Sequence, residues 1–587
     1  MSCPMSGFID SCFSLSFICK HLSVSLLVSP SLHNSITPIL YSRHSFGWPT
    51  RVSCEMNLDL WKEALTSANL LGEYRDVLHG FRYGFNQGIP DHTLSDLKWF
   101  TPDNHLSSSL AADKIKESMG KEIQAKRMYG PFTHEEAYAH LGFFRSSPLG
   151  AVVNGDGSVR PINDLSFPHG DPDFPSVNSF VNKDDFITTW DDFNIVASFF
   201  KKLDRPVSLA LFDWEKAYRQ IPTHPSQWRY LMVKGLDGNL YLDTRITFGG
   251  VAGCGSFGRP ADAWKKIMEN EFDLIKVFRW VDDNLFIKHL SSDTEMKDII
   301  GRSMKLGVLT NEKKCSAFSD EQKFIGFIWN GKDKTVRLPD EKLEMRKLQI
   351  QEFQDDSKSF SFNDVEVLTG RLNHVTYILP QLKCYLRSLY RWMLNWFDVQ
   401  AKRKTPEDVQ KDLVRWMSVL QSFNPTRLIM SSEPKEIGWI GDASSSFGIG
   451  VLIGKYWSQL KLRDCWRDDD NHRTIAWLET SAVRVGILML LHLGRQKKGS
   501  NVIVWTDNTT TESVIEKRKS KDTDVNEEWK WIQDELIRNE FDITGRRVKS
   551  KDNVADALSR GLVGTLKREN RIYFDLPEEW GQWLTHA

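Results

Sequence analysis

The stretch that most constrains this chain is Val277–Ile287, where two runs of β-prone residues meet at the adjacent carboxylates Asp282 and Asp283. Runs of Val, Phe, Trp, Leu and Ile around a short polar break predict a hairpin whose turn holds the acids. Neighbouring aspartates repel each other, so a fold that keeps both ionised needs a counter-charge, and Mg²⁺ suits such oxygen ligands. Taken alone, an Asp-Asp pair is more typical of a solvated turn.

Composition leaves the class of protein open. A chain of 587 residues, 41% hydrophobic and 26% charged, is long enough for three or four ordinary globular domains. Its 76 basic and 77 acidic residues give a net charge of -1, so any nucleic-acid surface must be local. The eight cysteines form no Cys-x-x-Cys pair. A reducing, intracellular location, cytoplasmic or nuclear, is therefore expected.

The N-terminal region offers little chemistry. The apolar stretch Phe13–Val28 is interrupted by Lys20 and His21 and is rich in Ser, which makes it a poor transmembrane helix and a weak signal peptide. We expect residues 1–55 to be disordered or extraneous, with Met56 as an alternative start, and we expect no membrane association. Residues 56–145 are expected to form a helical N-terminal region.

Three further motifs accompany the acidic hairpin. Ser146–Asp164 predicts a hairpin with Arg160 on its return strand, where an arginine is more often a surface charge but also suits a phosphate. Val207–Asp213 predicts a buried strand that ends on a carboxylate. Phe248 and Gly249 open a glycine-rich loop that lets backbone approach a ligand closely.

The order of these motifs resembles a reverse transcriptase. The matching residues are, in chain order, Asp213, Tyr218, Phe248–Gly249, Trp280–Asp283, Lys314 and the hairpin Phe324–Phe327. Each motif alone is weak, but six in the right order are hard to obtain by chance. The resemblance implies a right-hand polymerase with fingers, palm and thumb. Its implied partners are an RNA template, a DNA primer, an RNA-DNA hybrid and deoxynucleoside triphosphates.

The same resemblance implies roles for single residues. Asp213 and Asp282 would hold two Mg²⁺, with Mn²⁺ as an alternative, and Asp283 would support them. Lys314 would protonate or neutralise the pyrophosphate leaving group. The implied substrate contacts are Arg160 to the triphosphate, Asp164 as a brace of the same hairpin, Tyr218 under the sugar, and Phe248 and Gly249 beside the template or nucleotide.

The sequence also departs from the family pattern. Trp280 stands where the family usually has Tyr or Phe, and Gly253-Cys254 where retroelements usually have Ala-Pro. Neither change removes a metal ligand, but Trp280 is bulky beside the expected primer end.

Residues 338–434 are expected to be a helical thumb and connection. Lys383, Arg387 and Arg391 recur at helical spacing, and seven basic residues stand against one acid between Thr369 and Lys404. This face is either a solvated helix surface or a thumb surface that follows the phosphate backbone. Leu368–Asn373 and the helix after Pro380 look like retrotransposons of the tyrosine-recombinase (DIRS/Ngaro) type and their relatives.

A second set of acids follows in residues 435–562. Asp442 ends a predicted strand, Glu479 lies on a predicted helix, Asp507 follows another strand, and Asp556 lies in Asn553–Arg560. Acids in this order resemble ribonuclease H, which implies that all four bind two Mg²⁺ and that the domain hydrolyses the RNA strand of a hybrid. Recognition of the RNA strand would use its 2′-hydroxyl groups.

Together these patterns predict an α/β and α+β multidomain protein. Fingers and palm occupy 146–337, the thumb and connection 338–434, the ribonuclease H-like domain 435–562, and a tail 563–587. The leading hypothesis is a retrotransposon RNA- and DNA-directed DNA polymerase with ribonuclease H. Two alternatives remain open: a decayed or co-opted nucleic-acid-binding relic, and a nuclease in which only the second domain works. The sequence leaves the oligomeric state open.

Overall fold

The computed structural model describes residues 47–153, 159–422, 427–428, 433–467 and 473–587. The chain divides into two compact units of mixed α/β structure. The first unit contains residues up to Trp190 together with Ala210–Phe318, and the second contains Asp191–Leu209 together with Ser319–Ala587.

The helices and strands up to residue 318 alternate along the chain. In order they are α1 (Leu58–Ser67), α2 (Arg75–Tyr83), β1 (Trp99–Phe100), α3 (Leu106–Leu110), α4 (Ala112–Gln124), β2 (Met128–Phe132), α5 (His134–Leu141), β3 (Phe144–Ser147), β4 (Leu149–Val153), β5 (Val159–Asn163), α6 (Phe193–Lys202), β6 (Val207–Asp213), β7 (Met232–Lys234), β8 (Leu240–Asp243), α7 (Gly253–Glu271), β9 (Lys276–Trp280), β10 (Asp283–His289) and α8 (Met296–Lys305).

A five-stranded sheet with the order β1-β3-β7-β8-β2 forms one layer of the first unit. Residues 56–145, expected to be largely helical, contain the five helices α1 to α5, but three strands of this sheet also fall within or across the end of that range. The local pattern hid them because β2 and β3 pair with β8 and β7, about a hundred residues further along the chain. Such long-range pairing leaves little trace in local sequence.

The predicted hairpins and the strand that ends on Asp213 are confirmed. β4 and β5 pair antiparallel, with the tip of their turn outside the described residues. β9 and β10 pair antiparallel, and with β6 they form a three-stranded sheet in the order β6-β10-β9. Helix α7 packs beside this sheet and buries Trp264 and Phe257 in the main core of the unit.

The residues just before Met56 belong to the first unit. Glu55 pairs with Arg127 at 2.9 Å and with Arg245, which has no exposed surface, at 2.9 Å. Trp48 stacks on His140, with ring centroids 4.6 Å apart. The expected boundary after residue 55 is therefore corrected for 47–55, because a chain that began at Met56 would leave Arg245 without its carboxylate. Residues 1–46 lie outside the described residues.

Besides α6, the second unit contains the elements after residue 318. In chain order they are β11 (Glu321–Phe324), β12 (Phe327–Asn330), β13 (Thr335–Arg337), α9 (Asp340–Phe353), α10 (Phe362–Val375), α11 (Arg387–Leu394), α12 (Glu407–Ser422), β14 (Arg427–Leu428), β15 (Lys435–Ala443), β16 (Gly448–Ile453), β17 (Tyr456–Leu462), α13 (Ile475–His492), β18 (Asn501–Thr506), α14 (Thr509–Lys517), α15 (Thr523–Arg538), β19 (Asp542–Arg547), α16 (Asp556–Ser559) and β20 (Leu584–His586).

A six-stranded sheet with the order β19-β18-β15-β16-β17-β20 dominates the C-terminal part. β15, β18 and β19 are parallel to one another, and β16, β17 and β20 continue the sheet in antiparallel fashion. The predicted strands around Asp442 and before Asp507 are confirmed, as is the helix that carries Glu479. Because β15 and β18 run in the same direction, Asp442 and Asp507 lie at the same edge of the sheet.

Helix α13 packs on β15 and β16. Among the described residues it is the one helix long and apolar enough to cross a membrane, and 72% of it is buried inside the unit. That burial is what a core helix shows.

The expected C-terminal tail, 563–587, is corrected because it completes the second sheet. β20 pairs with β17, and Trp580 and Leu584 have no exposed surface. The Trp580 indole donates a hydrogen bond to Glu528 at 3.1 Å. The boundary after residue 562 therefore does not end the domain.

Replacing Trp580 tests this correction. Trp580→Ala removes a fully buried indole and a hydrogen bond to a buried carboxylate, so we expect the unfolding free energy of residues 435–587 to fall by about 3–5 kcal/mol. Trp531→Ala, at a side chain that is 45% exposed, should cost clearly less. Pulse proteolysis in urea measures both, and equal losses would contradict the assignment.

Candidate active sites

The first acidic cluster forms where β6 ends beside the β9–β10 hairpin. Asp213 is the last residue of β6 and is buried. Trp280 pairs with Asp283, so the hairpin loop contains just Val281 and Asp282. Asn284 donates its side-chain amide to the Asp282 carbonyl at 2.8 Å. The short loop therefore places Asp282 and Asp283 at the same end of the β6-β10-β9 sheet as Asp213.

Val281 gives this loop a strained backbone. Its φ of +55° lies in the left-handed region, which a β-branched residue rarely adopts. The buried Arg279 guanidinium donates to the Val281 carbonyl at 3.3 Å and forms an ion pair with Asp262 at 2.8 Å. The surroundings of the loop thus impose a conformation that Val281 alone would avoid.

Each of the three carboxylates makes ionisation of its neighbours less favourable. Burial, followed by the charges of Asp282 and Asp213, raises the pKa of Asp283 to about 6, and its carboxyl hydrogen-bonds Asp213. Burial and the Asp213 charge also raise the pKa of Asp282. Lys314 donates to Asp213 at 3.1 Å. Partial burial acts to lower the pKa of the Lys314 ammonium, but the three carboxylates raise it above its usual value.

Three of the side chains predicted to contact a nucleotide, those of Arg160, Phe248 and Tyr218, contact one another in succession. The Arg160 guanidinium lies over the Phe248 ring, 5.3 Å from its centroid, and the Tyr218 and Phe248 centroids are 5.2 Å apart. The Arg160 charge acts to lower the pKa of Asp282, as does Lys314. The Tyr218 hydroxyl lies 2.9 Å from the Cys254 sulfur. The structure therefore brings Arg160, Phe248 and Tyr218 together beside the acids.

Gly249 is the position in this loop that requires glycine. Its φ is +112°, and a Cβ there would lie 2.2 Å from the Asn163 carbonyl oxygen at the end of β5. The Asn178 side chain donates to the Gly249 carbonyl at 2.7 Å and accepts from the Val251 N–H at 3.0 Å. The sequence analysis missed Asn178, since nothing in its local pattern links it to a loop seventy residues away.

Asp164 contacts two imidazoles. Its Oδ2 lies 3.0 Å from His105 Nε2 and 3.1 Å from His169 Nε2, and its Oδ1 accepts from the Ser166 N–H at 3.1 Å. Burial opposes ionisation, but the hydrogen bonds from His105 and Ser166 and the His169 charge hold the pKa of Asp164 below its usual value. These contacts anchor the end of the hairpin that carries Arg160.

The second acidic cluster is tighter. Carboxylate oxygens of Asp442, Glu479 and Asp507 all lie within 4.8 Å of one another, and within the described chain theirs is the one such group. Asp442 comes from β15, Glu479 from α13, and Asp507 directly follows β18. None of these three acids forms an ion pair with a Lys or Arg among the described residues.

Burial governs the titration of this cluster. It raises the pKa of Glu479 to about 8, with the charges of Asp442 and Asp507 adding to the effect. It also raises the pKa of Asp442 to about 6, where a hydrogen bond from Ser559 acts in the opposite direction. A site that gathers three carboxylates, two of them buried, without an ion-paired cationic side chain has the oxygen donors and the charge deficit that a divalent cation meets.

The fourth predicted acid, Asp556, acts on the pKa of Asp442 through its charge but does not belong to the 4.8 Å group. It lies at the start of α16, is partly exposed, and accepts two hydrogen bonds from Arg560 at 3.0 and 2.9 Å. Asp556 therefore stands outside the group formed by the other three acids.

Two residues next to Asp556 were missed and hold Asp442 instead. Asn553 donates to Asp442 Oδ1 at 2.9 Å, and Ser559 donates to its Oδ2 at 2.5 Å. Both side chains are buried. Their presence in the quoted Asn553–Arg560 segment was a signal, but the pattern alone does not say which acid they contact.

The predicted basic helix face contacts protein groups. Arg391 pairs with Asp408, and Arg387 donates to the Lys521 carbonyl. Lys383 lies on the 3-10 helix Pro380–Leu386, before α11, so one continuous α-helix does not carry the three residues. Their role in nucleic-acid binding stays a prediction.

Solved structures of foamy viral protease-reverse transcriptase are similar to this chain. The complex with an RNA/DNA hybrid has 13% identity and a TM-score of 0.45 over 88% of this chain, which spans 65% of that chain, just under two thirds. A dRH form with double-stranded DNA has 14% identity and a TM-score of 0.43, and the match covers 87% of this chain and 84% of that chain. Another double-stranded DNA complex has 13% identity and a TM-score of 0.42, and the match covers 86% of this chain and 99% of that chain. No family model and no curated protein matches the sequence. Likeness at this level assigns no activity.

The raised pKa values in the second cluster make its metal dependence testable. A carboxyl whose pKa is higher in the folded than in the unfolded protein stabilises the fold while protonated, and that stability is lost as pH rises through the folded pKa. For Asp442 and Glu479 the loss falls between about pH 4 and pH 9. We therefore expect Mg²⁺ to raise the melting temperature by about 2–4 °C more at about pH 8.5 than at about pH 5.5.

Differential scanning fluorimetry with and without MgCl₂ measures this difference. Glu479→Gln should remove most of the pH dependence, whereas Glu516→Gln, at an exposed residue of α14, should keep it. A parent protein whose response to Mg²⁺ is the same at both pH values would contradict the prediction.

Ser559 is expected to orient Asp442 for cation binding. Ser559→Ala removes one of the two side chains that donate hydrogen bonds to Asp442. We therefore expect the Mg²⁺ affinity of this cluster to fall about 10-fold. The Mg²⁺ concentration needed for half-maximal thermal stabilisation measures it without any assay of activity. Ser550→Ala, at an exposed serine of the same segment, is the matched control, and equal midpoints would disprove the role.

Proposed function

We propose that this chain is an RNA- and DNA-directed DNA polymerase of a retroelement, joined to a ribonuclease H. One observation carries the polymerase assignment. Asp213, Asp282 and Asp283 converge beside Lys314, and the Arg160 side chain, which lies over Phe248, is close enough to act on Asp282. Acids, a leaving-group cation and an aromatic surface for a nucleotide thus belong to one site.

In the polymerase half, the primer 3′-hydroxyl gives up its proton to water, its oxygen attacks the α-phosphorus of the incoming nucleotide, and the bond from that phosphorus to the pyrophosphate oxygen breaks. Two Mg²⁺ or Mn²⁺ held by Asp213 and Asp282, with Asp283 in support, would supply activation of the hydroxyl and charge stabilisation of the leaving oxygen. Lys314 donates a proton or positive charge to the pyrophosphate. Its raised pKa keeps it protonated at neutral pH.

The neighbouring side chains would select and orient the nucleotide. Arg160 binds the triphosphate through its fork of N–H donors. Asp164, held by two histidines, braces the hairpin that carries Arg160. Tyr218 lies under the sugar and excludes a 2′-hydroxyl, and Phe248 and Gly249 lie beside the template or nucleotide.

In the ribonuclease H half, Asp442, Glu479, Asp507 and Asp556 would hold the metal ions that activate water against an RNA phosphodiester. Three of these acids already converge, whereas Asp556 would have to leave Arg560 to join them. The 2′-hydroxyl groups identify the strand to be cut.

The proposal extends to the source of the gene. Leu368–Asn373 and the helix after Pro380 favour a retrotransposon of the tyrosine-recombinase (DIRS/Ngaro) type. The competing proposal is a relic that binds nucleic acid without catalysis. The ion pair between Asp556 and Arg560 and the bulky Trp280 favour it.

Two assays on the full chain separate these proposals. Primer extension on an RNA template with Mg²⁺ tests one half, and cleavage of a labelled RNA-DNA hybrid tests the other. Asp282→Asn should reduce extension at least about 100-fold and leave cleavage unchanged, because several kcal/mol of transition-state stabilisation depend on the metal ligands. Glu479→Gln should reduce cleavage by a similar factor and leave extension unchanged.

Asp293→Asn, at an exposed residue outside the site, is the matched control and should keep both activities. A folded parent that neither extends nor cleaves, yet binds the hybrid, would support the relic. Cleavage of the hybrid without primer extension would support the alternative of a nuclease in which only the second domain works.

A further inference from the structure

The phenol ring of Tyr218 is packed against two other aromatic rings. Tyr218 lies on the 3-10 helix Ala217–Gln220, which follows β6 and Asp213. The centroid of its ring is 5.2 Å from that of Phe248 and 5.5 Å from that of Phe257. Phe257 belongs to α7 and has no exposed surface. These two contacts fix where the Tyr218 ring lies.

The aromatic contacts leave the tilt of that ring to another group. The ring plane of Tyr218 makes angles of 33° with Phe248 and 53° with Phe257, so neither pair is stacked or perpendicular. Apolar contact is non-directional, whereas a hydrogen bond at the hydroxyl, at the far end of the side chain, requires a direction. The tilt of the ring is therefore set at its hydroxyl.

The Cys254 thiol contacts that hydroxyl. The Tyr218 oxygen lies 2.9 Å from Cys254 Sγ, and either group can donate the hydrogen bond. Tyrosine hydroxyls that leave water find a hydrogen-bond partner in most proteins, because an unpaired one is costly. Both side chains are half-buried, so water competes with this contact less than it would at an exposed site.

Cys254 stands on a rigid element. It is the second residue of α7, the helix that buries Phe257 in the core of the first unit. A Cβ at the next residue, Gly255, would lie 2.2 Å from the Phe186 carbonyl oxygen, so the start of α7 packs directly on the chain there. The first turn of a helix accepts most residues, proline included, so helix formation does not explain a cysteine at this position. Its contact with Tyr218 does.

We propose that Cys254 is a positioning residue that sets how strongly the polymerase site excludes ribonucleotides. This inference rests on the proposed function, in which Tyr218 lies under the sugar of the incoming nucleotide. A ring excludes a 2′-hydroxyl by occupying its place, which is selection by a clash with the wrong substrate. A Tyr218 ring released from Cys254 can tilt away from that place. A deoxynucleotide has no oxygen there, so the contact bears on the ribonucleotide.

Single-nucleotide insertion measures this selection. On an RNA template with a DNA primer, kcat/KM is determined for dGTP and for GTP opposite a template cytosine, and the ratio of the two values measures the discrimination between sugars. We expect Cys254→Ala to lower the ratio about 5-fold, the effect of one lost hydrogen bond, by raising kcat/KM for GTP. Cys254→Ser keeps a hydrogen-bonding group at the same position and should restore the parental ratio.

Removal of the hydroxyl tests the same contact from its other side. Tyr218→Phe keeps the ring but loses the group that Cys254 contacts, so it should also lower the ratio about 5-fold. Adding Cys254→Ala to it should cause no further loss, because the two changes remove one interaction. Tyr218→Ala removes the ring itself and should lower the ratio more than either change. Cys54→Ala, at a half-buried cysteine before α1, is the matched control and should keep the parental ratio.

A purely structural role of Cys254 would give a different result. A Cys254→Ala protein that has only lost stability inserts both nucleotides more slowly and keeps their ratio. An unchanged ratio in this variant, while the parent inserts dGTP, overturns the inference alone, and so do losses that add in Tyr218→Phe/Cys254→Ala. A folded parent that inserts neither nucleotide overturns the proposed polymerase and this inference with it.

Discussion

The repulsion among carboxylates that the fold forces together governs this structure. In each unit, acids from separate strands or helices converge, and burial raises the pKa of Asp283 to about 6 and of Glu479 to about 8. Such clusters cost stability at neutral pH unless a cation enters. The surrounding packing has to offset this loss of stability.

That packing is visible around both sites. Arg279, buried and paired with Asp262, holds the strained Val281 turn, and Asn178 ties the Gly249 loop to the hairpin of Arg160. In the second unit Asn553 and Ser559 take both oxygens of Asp442. In each case neutral amides or hydroxyls, or an arginine that already has its own acid, fix the geometry.

Local sequence predicted the parts whose signal is local. Alternating β-prone runs around Asp282, the strand that ends on Asp213 and the helix around Glu479 were all found, because period and turn chemistry specify them. The pairing of β2 and β3 with the β7–β8 hairpin, the packing of Trp580, and the contact from Ser559 to Asp442 were not. These three features join residues that are far apart in the chain, or they depend on which neighbouring side chain a residue contacts. The spacing of residue types along the sequence specifies neither.

The two acidic clusters differ in how far side chains compensate them. Lys314 contacts Asp213, and Arg160 and Lys314 act on Asp282, so the first cluster holds part of its counter-charge permanently. In the second, Arg560, whose charge acts on Asp442, pairs with Asp556, and the three converging acids have no ion-pair partner among the described residues. Entry of a divalent cation there would attract Asp556 and compete with Arg560 for it. Each site thus contains one acid with which an entering cation has to compete for an existing ion pair, Asp213 with Lys314 in the first site and Asp556 with Arg560 in the second.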